Sequence, residues 1–433
     1  MSTVELGIIL IVLVFVLIAL GLPVGFSMGV MGFAGVWFLI SPEAAWAKIT
    51  YIPFQVVTSY DIAVLPLFLL MAFIIFAVGL SQDLYNLASK WLGHLRGGIA
   101  IATVWACAGF AAVSASSAAT SATMGLVAIP EMKKYNYKTS LATGCVAAGG
   151  TMGSLIPPSG MLIIYGLITE TSIGRLFAAG IIPGILEAVF YMATIYILCR
   201  WKPTMGPPGP RYSYRERFAA FGSCGEIMAL IALVLGGLMI GWFTPTEAGA
   251  VAAFGAIVFS LIRKRLHWGK FKHALVETIT TSGMIYCIFM GAMLFNYFVA
   301  VTTIPFLLSD FISALPVPPL LIVIAMMVIY ILLGCVMDPI AMILLTIPIF
   351  FPMVIGMGFD PIWFGILLVR MTEIAGITPP IGMNVYIIAG VVPDVPLTTI
   401  FKGIVPFLIA DILHVTLIIL IPSVALFLPG IIF

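Results

Sequence analysis

Two prolines in succession stand in the middle of an apolar stretch twice in this chain, and no other feature restricts its fold as sharply. GSLIPPSGM occupies residues 153–161 and AGITPPIGMN residues 375–384. Each proline removes a backbone donor, and its ring clashes with the carbonyl one turn back, so a regular α-helix cannot run through the pair. The surroundings make such a break costly. Only 8% of the 433 residues are charged and 62% are hydrophobic, too little charge to cover a soluble protein of this size. The chain reads as an all-α polytopic membrane protein with roughly a dozen membrane-crossing elements, and it leaves no room for a soluble catalytic domain. In lipid, freed backbone groups must face protein, water or an ion. The two breaks are therefore the first places to look for a site.

Several other classes drop out. A net charge of +2 without a basic face argues against nucleic-acid binding. The short alternating strands of an outer-membrane barrel are missing. Cys107, Cys145, Cys199, Cys224, Cys287 and Cys335 are scattered through apolar segments without CxxC or Cys/His spacing, and the four histidines are unclustered. Neither disulfides nor a metal centre of that kind is implied, nor any organic cofactor. The first apolar run follows Glu5 with no basic region or cleavage site, as expected of a retained helix and not a signal peptide. An intramembrane enzyme is a remote reading: HExxH and Gly-x-Ser-x-Gly are missing, and no second aspartate accompanies Asp338. No residue is assigned a catalytic role.

The chain repeats itself. Pro157 and Pro158 are matched by Pro379 and Pro380, and Pro23 is matched by Pro245 at the identical spacing. Pro130 and Pro348 form a third pair at nearly the same spacing. These anchors divide the chain into halves 1–200 and 224–433 joined by a cytoplasmic linker, 201–223. The positive-inside rule gives the halves opposite orientation. With inverted halves, 16 of the 19 Lys and Arg residues fall on one face, leaving Lys48, Arg175 and Arg370 as exceptions, and both termini lie outside. The apolar run 99–130 has Arg96 before it and Lys133 and Lys134 after it, so both its ends are inside. It reads as a re-entrant hairpin with the small polar tip SASSAATSAT, 114–123. The matching run 318–355, with GCVMDPIAM at 334–342, enters from the opposite face. The broken helices are 139–168 and 362–392. Scaffold helices are expected in 1–60 and 224–272, and the amphipathic stretch 81–98 is expected to lie along the inner interface as an arm.

Two inverted repeats, each with a broken helix and a hairpin tip, match the plan of a secondary transporter, in which unwound carbonyls hold Na⁺ and half-helix N-termini face an anionic substrate. One Na⁺ site is placed between Ser116, Ser117 and Thr120 and the backbone of the first break, Thr151 to Ile156, with Thr151 and Gly153 as its named members. The other lies between Gly334 and Asp338 and the backbone at Gly376 and Thr378. Neutral hydroxyl and carbonyl oxygens suit a hard cation that must shed its water. Substrate candidates are Ser117, Pro157, Ser159, Pro380 and Asn384. Each feature also has a plain structural reading. The Ser/Ala run could be a small-residue packing seam, a lone proline is a kink, and Asp338 could shape a turn. Glu373, one turn from Arg370, is read as a structural ion pair, and Glu247 as a stabiliser of the helix start at Pro245. Glu187 and Asp411 stand in apolar stretches with no partner legible.

LPLFLLMAFII (65–75), SASSAATSATMG (114–125), GSLIPPSG (153–160), LFAAGIIPG (176–184), TPTEAGAVAA (244–253) and GITPPIGMN (376–384) together resemble the large membrane subunit of tripartite ATP-independent periplasmic (TRAP) transporters, nearly end to end. The resemblance implies an elevator-type fold like that of the ion-transporter superfamily, in which hairpins and broken helices slide against a static scaffold. It also implies a Na⁺-driven importer in a bacterial or archaeal inner membrane, coupled to two or more Na⁺. The substrate would be an organic acid with a carboxylate, delivered by a soluble periplasmic binding protein (P-type). A small four-helix membrane subunit (Q-type) is expected as a separate chain packed on the scaffold helices, because the repeat begins by about residue 6. One departure is SASS, where SGSS is common in the family; Ala115 would stiffen that tip. A self-contained Na⁺/anion symporter needing no binding protein is the alternative, while inverted breaks favour alternating access over a channel. The sequence does not name the substrate.

Overall fold

The computed structural model describes residues 2–313, 316–334 and 336–433, and these contain helices and connecting turns but no strand. Cys335 lies outside the described residues. The first half runs α1 (Thr3–Ala19), α2 (Val24–Leu39), α3 (Pro42–Thr58), α4 (Val64–Ala77), α5 (Leu80–Leu92), α6 (Gly98–Ser114), α7 (Ser117–Lys134), α8 (Thr139–Thr151), α9 (Gly160–Thr169) and α10 (Ile173–Trp201). The second runs α11 (Tyr214–Met239), α12 (Pro245–Ile262), α13 (Trp268–Val301), α14 (Ile304–Ser313), α15 (Pro319–Leu333), α16 (Pro339–Gly356), α17 (Pro361–Ala375), α18 (Met383–Val391), α19 (Leu397–Leu420) and α20 (Ser423–Ile432).

The order repeats. The starts of α2, α6, α7, α8, α9 and α10 precede those of α12, α15, α16, α17, α18 and α19, each by nearly the spacing of the proline pairs. The long α13 stands where the first half has α3 and α4. In the first half α5 turns away from α4 by 69°. A short helix, α14, occupies the same place in the second half. Sequence reasoning did not single it out; Asp310 is its only charged residue. Helix starts follow local capping chemistry. Thr244 and Glu247 form a capping box at α12, the role expected of Glu247. Ser213 and Glu216 form another at α11, so helix begins inside the segment read as linker.

Six of these helices are long and apolar enough to cross a membrane, or seven if α4 and α5 count as one span. That is fewer than the dozen elements expected, because hairpin arms and half-helices such as α6, α9 and α15 are individually short.

Packing sorts the helices into two groups, each drawing on both halves. In one, α2 and α3 pack on α13, and α4 packs on α12 and α13. In the other, α7 and α8 pack with α18 and α19, and α10 packs with α17 and α19. Small residues set the closest crossings, as in membrane helices generally. A Cβ on Gly144 of α8 would lie 2.3 Å from the Gly403 carbonyl oxygen of α19, so the two backbones touch. Polar contacts tie the helix ends together. Lys133 pairs with Asp394 at 2.8 Å, Arg265 with Asp83 at 2.5 Å, and the Trp91 indole donates to the Arg217 carbonyl. At the other end, the Tyr165 hydroxyl donates to the Pro361 carbonyl at 2.6 Å and Arg175 to the Phe433 carbonyl.

Candidate functional site

A cavity of 580 Å³ opens between the two groups. The first residue of each of four helices lines it: Ser117 of α7, Gly160 of α9, Pro339 of α16 and Met383 of α18. Ser116 and Asp338, the N-caps of α7 and α16, line it as well. Much of the remaining wall is apolar, from Leu65 and Phe68 of α4 to Ile285 and Ile288 of α13.

The first hairpin, α6 and α7, turns in two residues. Ser116 accepts from the Ala119 N–H at 3.3 Å, the cap expected of serine. Its own carbonyl accepts from the Thr120 hydroxyl at 2.8 Å, and the Ser114 and Thr120 hydroxyls lie 2.6 Å apart. The first break lies on this group of oxygens. A Cβ on Gly153 would sit 2.5 Å from the Ser116 oxygen and 2.7 Å from Thr120 Oγ1, and the Gly160 N–H reaches the Ala115 carbonyl at 3.4 Å. Ser116, Thr120 and Gly153 are thus brought together. The Ser117 hydroxyl takes another direction, bonding to the Asn384 side chain, whose Nδ2 lies 2.8 Å away. Thr151 is turned away from the tip: its hydroxyl donates to the Ala148 carbonyl at 2.6 Å and to Glu187 at 3.2 Å.

The Ser159 hydroxyl bridges the first break, donating to the Ser154 carbonyl and accepting from the Leu162 N–H at 3.2 Å. Both Pro-Pro bonds are cis. Pro157 is buried and Pro380 exposed, so the two prolines do not face alike. Of the five substrate candidates, Ser117 lines the cavity and Asn384 stands behind it through their bond.

In the second half, Asp338 accepts from the Ile340 and Ala341 N–H groups at 3.0 and 3.2 Å. Gly334 lies against the end of α17, where a Cβ would be 2.2 Å from that of Ala375, next to Gly376. The Asn384 N–H spans the second break to the Gly376 carbonyl at 2.9 Å, and the Thr378 hydroxyl turns back to the Ile374 carbonyl at 2.6 Å. Gly334 is brought against Ala375, the residue before Gly376, and Asp338 faces the cavity. Ser116 and Asp338 are separated by the same interval as the two Pro-Pro pairs, so both tips are capped at one repeat position.

One constellation was only partly legible. Arg370 pairs with Glu373, as expected, at 2.5 Å, but also with Glu187 at 2.7 Å and Asp411 at 2.6 Å. All four side chains are at most 1% exposed. The Tyr191 hydroxyl donates to Asp411 at 2.6 Å. Glu187 and Asp411, which had no partner in the sequence reading, are separated by the same interval as the starts of α10 and α19. That spacing was the available signal.

The chain matches the family described as tripartite ATP-independent periplasmic transporter, DctM component, over residues 11–424. The C4-dicarboxylate TRAP transporter large permease protein DctM of Pseudomonas aeruginosa is 35% identical over 405 residues, 93% of this chain and 94% of that protein. The isethionate TRAP transporter permease protein DctMQ of Oleidesulfovibrio alaskensis is 32% identical over 415 residues, 95% of this chain and 65% of that protein. In fold, the chain is similar to the crystal structure of the Alcanivorax borkumensis YdaH transporter, with a TM-score of 0.64 over 97% of this chain and 98% of that one at 14% identity. The chain belongs to the DctM family: it is the large permease subunit of a TRAP transporter, a multi-pass membrane protein and not an enzyme.

Proposed function

We propose, on the premise of that membership, that this chain is a Na⁺-coupled importer of a small carboxylate-bearing solute across a bacterial or archaeal inner membrane. The observation that carries the reading is the meeting of four helix N-termini on one cavity. Each N-terminus carries a partial positive charge from its helix dipole, so together they favour an anion, even where Ser116, Ser159 and Asp338 already cap N–H groups. The substrates in the names of the two relatives, a C4-dicarboxylate and isethionate, are both small anions. The apolar wall would accept the carbon skeleton, with Ser117 as a polar contact and Asn384 orienting it. Pro157, Ser159 and Pro380 act through the shape of the breaks.

Coupling Na⁺ is assigned to the oxygens where tip and break meet. In the first half these are Ser116, Ser117 and Thr120 with the Gly153 backbone; the Thr151 hydroxyl, turned to Glu187, is left out. In the second they are Gly334, Asp338, Gly376 and Thr378. Such oxygens can replace part of a cation's hydration shell, and the ion would offset the Asp338 charge. Two inverted repeats with hairpins entering from opposite faces account for the grouping of helix-end contacts. A cavity between two packing groups suits an elevator motion, with α6–α10 and α15–α19 moving against α2–α4 and α11–α13. A separate small four-helix subunit would pack on the latter group, and a soluble periplasmic binding protein would deliver the solute.

Reconstitution into liposomes tests this reading. Uptake should require an inward Na⁺ gradient, the small subunit and the loaded binding protein. Uptake without any binding protein would instead support a self-contained Na⁺/anion symporter. Orientation is checked by cysteines placed at Lys133 and Asp360, which should label from opposite sides of the membrane; labelling from one side would refute the inverted repeats.

A further inference from the structure

The Arg370 cluster lies outside the tip sites and has a charge balance that those sites do not explain. Three carboxylates surround one guanidinium: Glu187 from α10, Glu373 from α17 and Asp411 from α19. Glu187 and Glu373 share a single guanidinium nitrogen, at 2.7 and 2.5 Å, so their oxygens can lie no further apart than those two distances together. Fully ionised, the group would carry two uncompensated negative charges at membrane depth. Burying unpaired charge is among the most expensive arrangements a protein can hold, and two carboxylates this close resist ionising together. The second oxygens, Glu187 Oε2, Glu373 Oε1 and Asp411 Oδ2, have no hydrogen-bond partner among the described residues. The surrounding polar groups do not offset the charge. Tyr191 and Thr151 offer only hydroxyls, both already donating. His414, one turn beyond Asp411 and packed on Phe190, is buried with neither nitrogen bonded. On the other helices packed against α17, Tyr165 bonds to the Pro361 carbonyl and Tyr330 to Thr346.

We propose that the orphaned carboxylate oxygens around Arg370 form a further site for small monovalent cations, protons or Na⁺, separate from the two hairpin tips. The bound cations cancel the excess charge, and the site joins α10, α17 and α19 where the two halves meet. Its occupancy requires neither substrate nor binding protein.

The test uses the full-length permease in lipid bilayers, as wild type and as the double variant Glu187→Gln, Glu373→Gln. The amides keep the shape of the carboxyls and fix the cluster at neutrality. If protons are the cations, infrared spectra of the wild type at neutral pH contain a buried protonated-carboxyl band that the double variant lacks. If Na⁺ is the cation, replacing choline by Na⁺ at constant ionic strength raises the wild-type melting temperature by an increment that the double variant reduces, and the same reduction is found when both are compared in an Asp338→Asn background. In either case the double variant folds without added Na⁺, and its transport still depends on Na⁺ through the tips. A wild type with no such band and the same Na⁺ increment as the double variant overturns the proposal. So does failure of the double variant to fold, because a cluster already neutralised would tolerate the amides. Loss of Na⁺-dependent transport in Asp338→Asn alone bears on the tip sites and leaves this test intact.

Discussion

Ala115 ends α6 with φ 51° and ψ 14°, in the left-handed region. An L-residue there brings Cβ against the following carbonyl and costs about 1–2 kcal/mol, whereas glycine has no such cost. Replacing Ala115 with glycine removes that strain but frees the unfolded chain, which costs about 0.4–1 kcal/mol. The net expectation is stabilisation by roughly 0.5–1 kcal/mol. Ala122→Gly, further on in the helical part of α7, is the control; there only the loss applies, about 0.5–1 kcal/mol. One kcal/mol moves the midpoint of a 150–250-residue domain by about 2–4 °C, and less for a longer chain. Ala115→Gly should therefore raise the melting temperature of the purified permease by about 1 °C, while Ala122→Gly lowers it by a similar amount. Ala115→Val, with a branched side chain in the same conformation, should fall below wild type. The test is the order Gly, Ala, Val at position 115. If Ala115→Gly lowers the midpoint together with Ala122→Gly, the left-handed turn is not what strains this tip. The tip lines the cavity and its carbonyl holds the Gly160 N–H, so a relaxed turn should also alter the Na⁺ concentration needed for half-maximal uptake.

Three further outcomes follow from the same geometry. Gly334→Ala should destabilise by about 1–3 kcal/mol through overpacking, because its Cβ would meet that of Ala375 at 2.2 Å; adding Ala375→Gly should restore part of the melting temperature, and no restoration would count against that contact. Ser117→Ala and Asn384→Ala should be non-additive, with a coupling of about 0.5–1.5 kcal/mol in a double-mutant cycle of stability, and Ser117→Ala should also weaken Na⁺ activation of uptake; strictly additive losses would show that the bond between them contributes nothing. Donation from Lys133 holds Asp394 below the ordinary carboxylate range, so its contribution is present above the unfolded-state pKa and lost as pH falls through the lowered one; Asp394→Asn should flatten that acid limb of the melting curve, and an unchanged limb would place the titration elsewhere.

How much of this was legible in the sequence depended on whether the signal was local or repeated. The Pro-Pro strings located both breaks, and flanking charge located the first hairpin, because proline geometry and loop charge act within a few residues of themselves. The direction of the Thr151 hydroxyl was not legible. Its position at the break suggested a ligand, but its hydroxyl lies nearer to Glu187 of α10 than to the tip, and only the tertiary packing of α8 on α10 decides that. Ser159 was similar: a hydroxyl beside Pro-Pro reads as a substrate contact, yet backbone groups freed by the break claim it first. The second arm, α14, is amphipathic as well, but Asp310 is its only charged residue and it carries none of the basic residues found in the first.

The repeat spacing reaches further than its first use suggested. Applied to side chains, it relates Ser116 to Asp338, the caps of the two tips, and Glu187 to Asp411, two of the carboxylates on Arg370. Thr151 and Glu373, also in that cluster, stand at the spacing of the proline pairs. A polar cluster that gathers both members of two related pairs must lie where the halves meet, whatever the function. The same spacing relates Arg370 to Ala148, so duplication supplies polar groups from both halves but a guanidinium from only one. Related positions therefore diverge in chemistry while keeping their place. The cation sites proposed for the two tips should differ for the same reason: a serine hydroxyl caps one and a carboxylate the other, and Asp338 would bind a cation through a full charge where Ser116 offers only dipoles. Asp338→Ser would make the second cap resemble the first. It should keep helix α16 capped, since serine caps nearly as well as aspartate, yet lower apparent Na⁺ affinity. Unchanged Na⁺ dependence with unchanged stability would show that the carboxylate serves the helix alone.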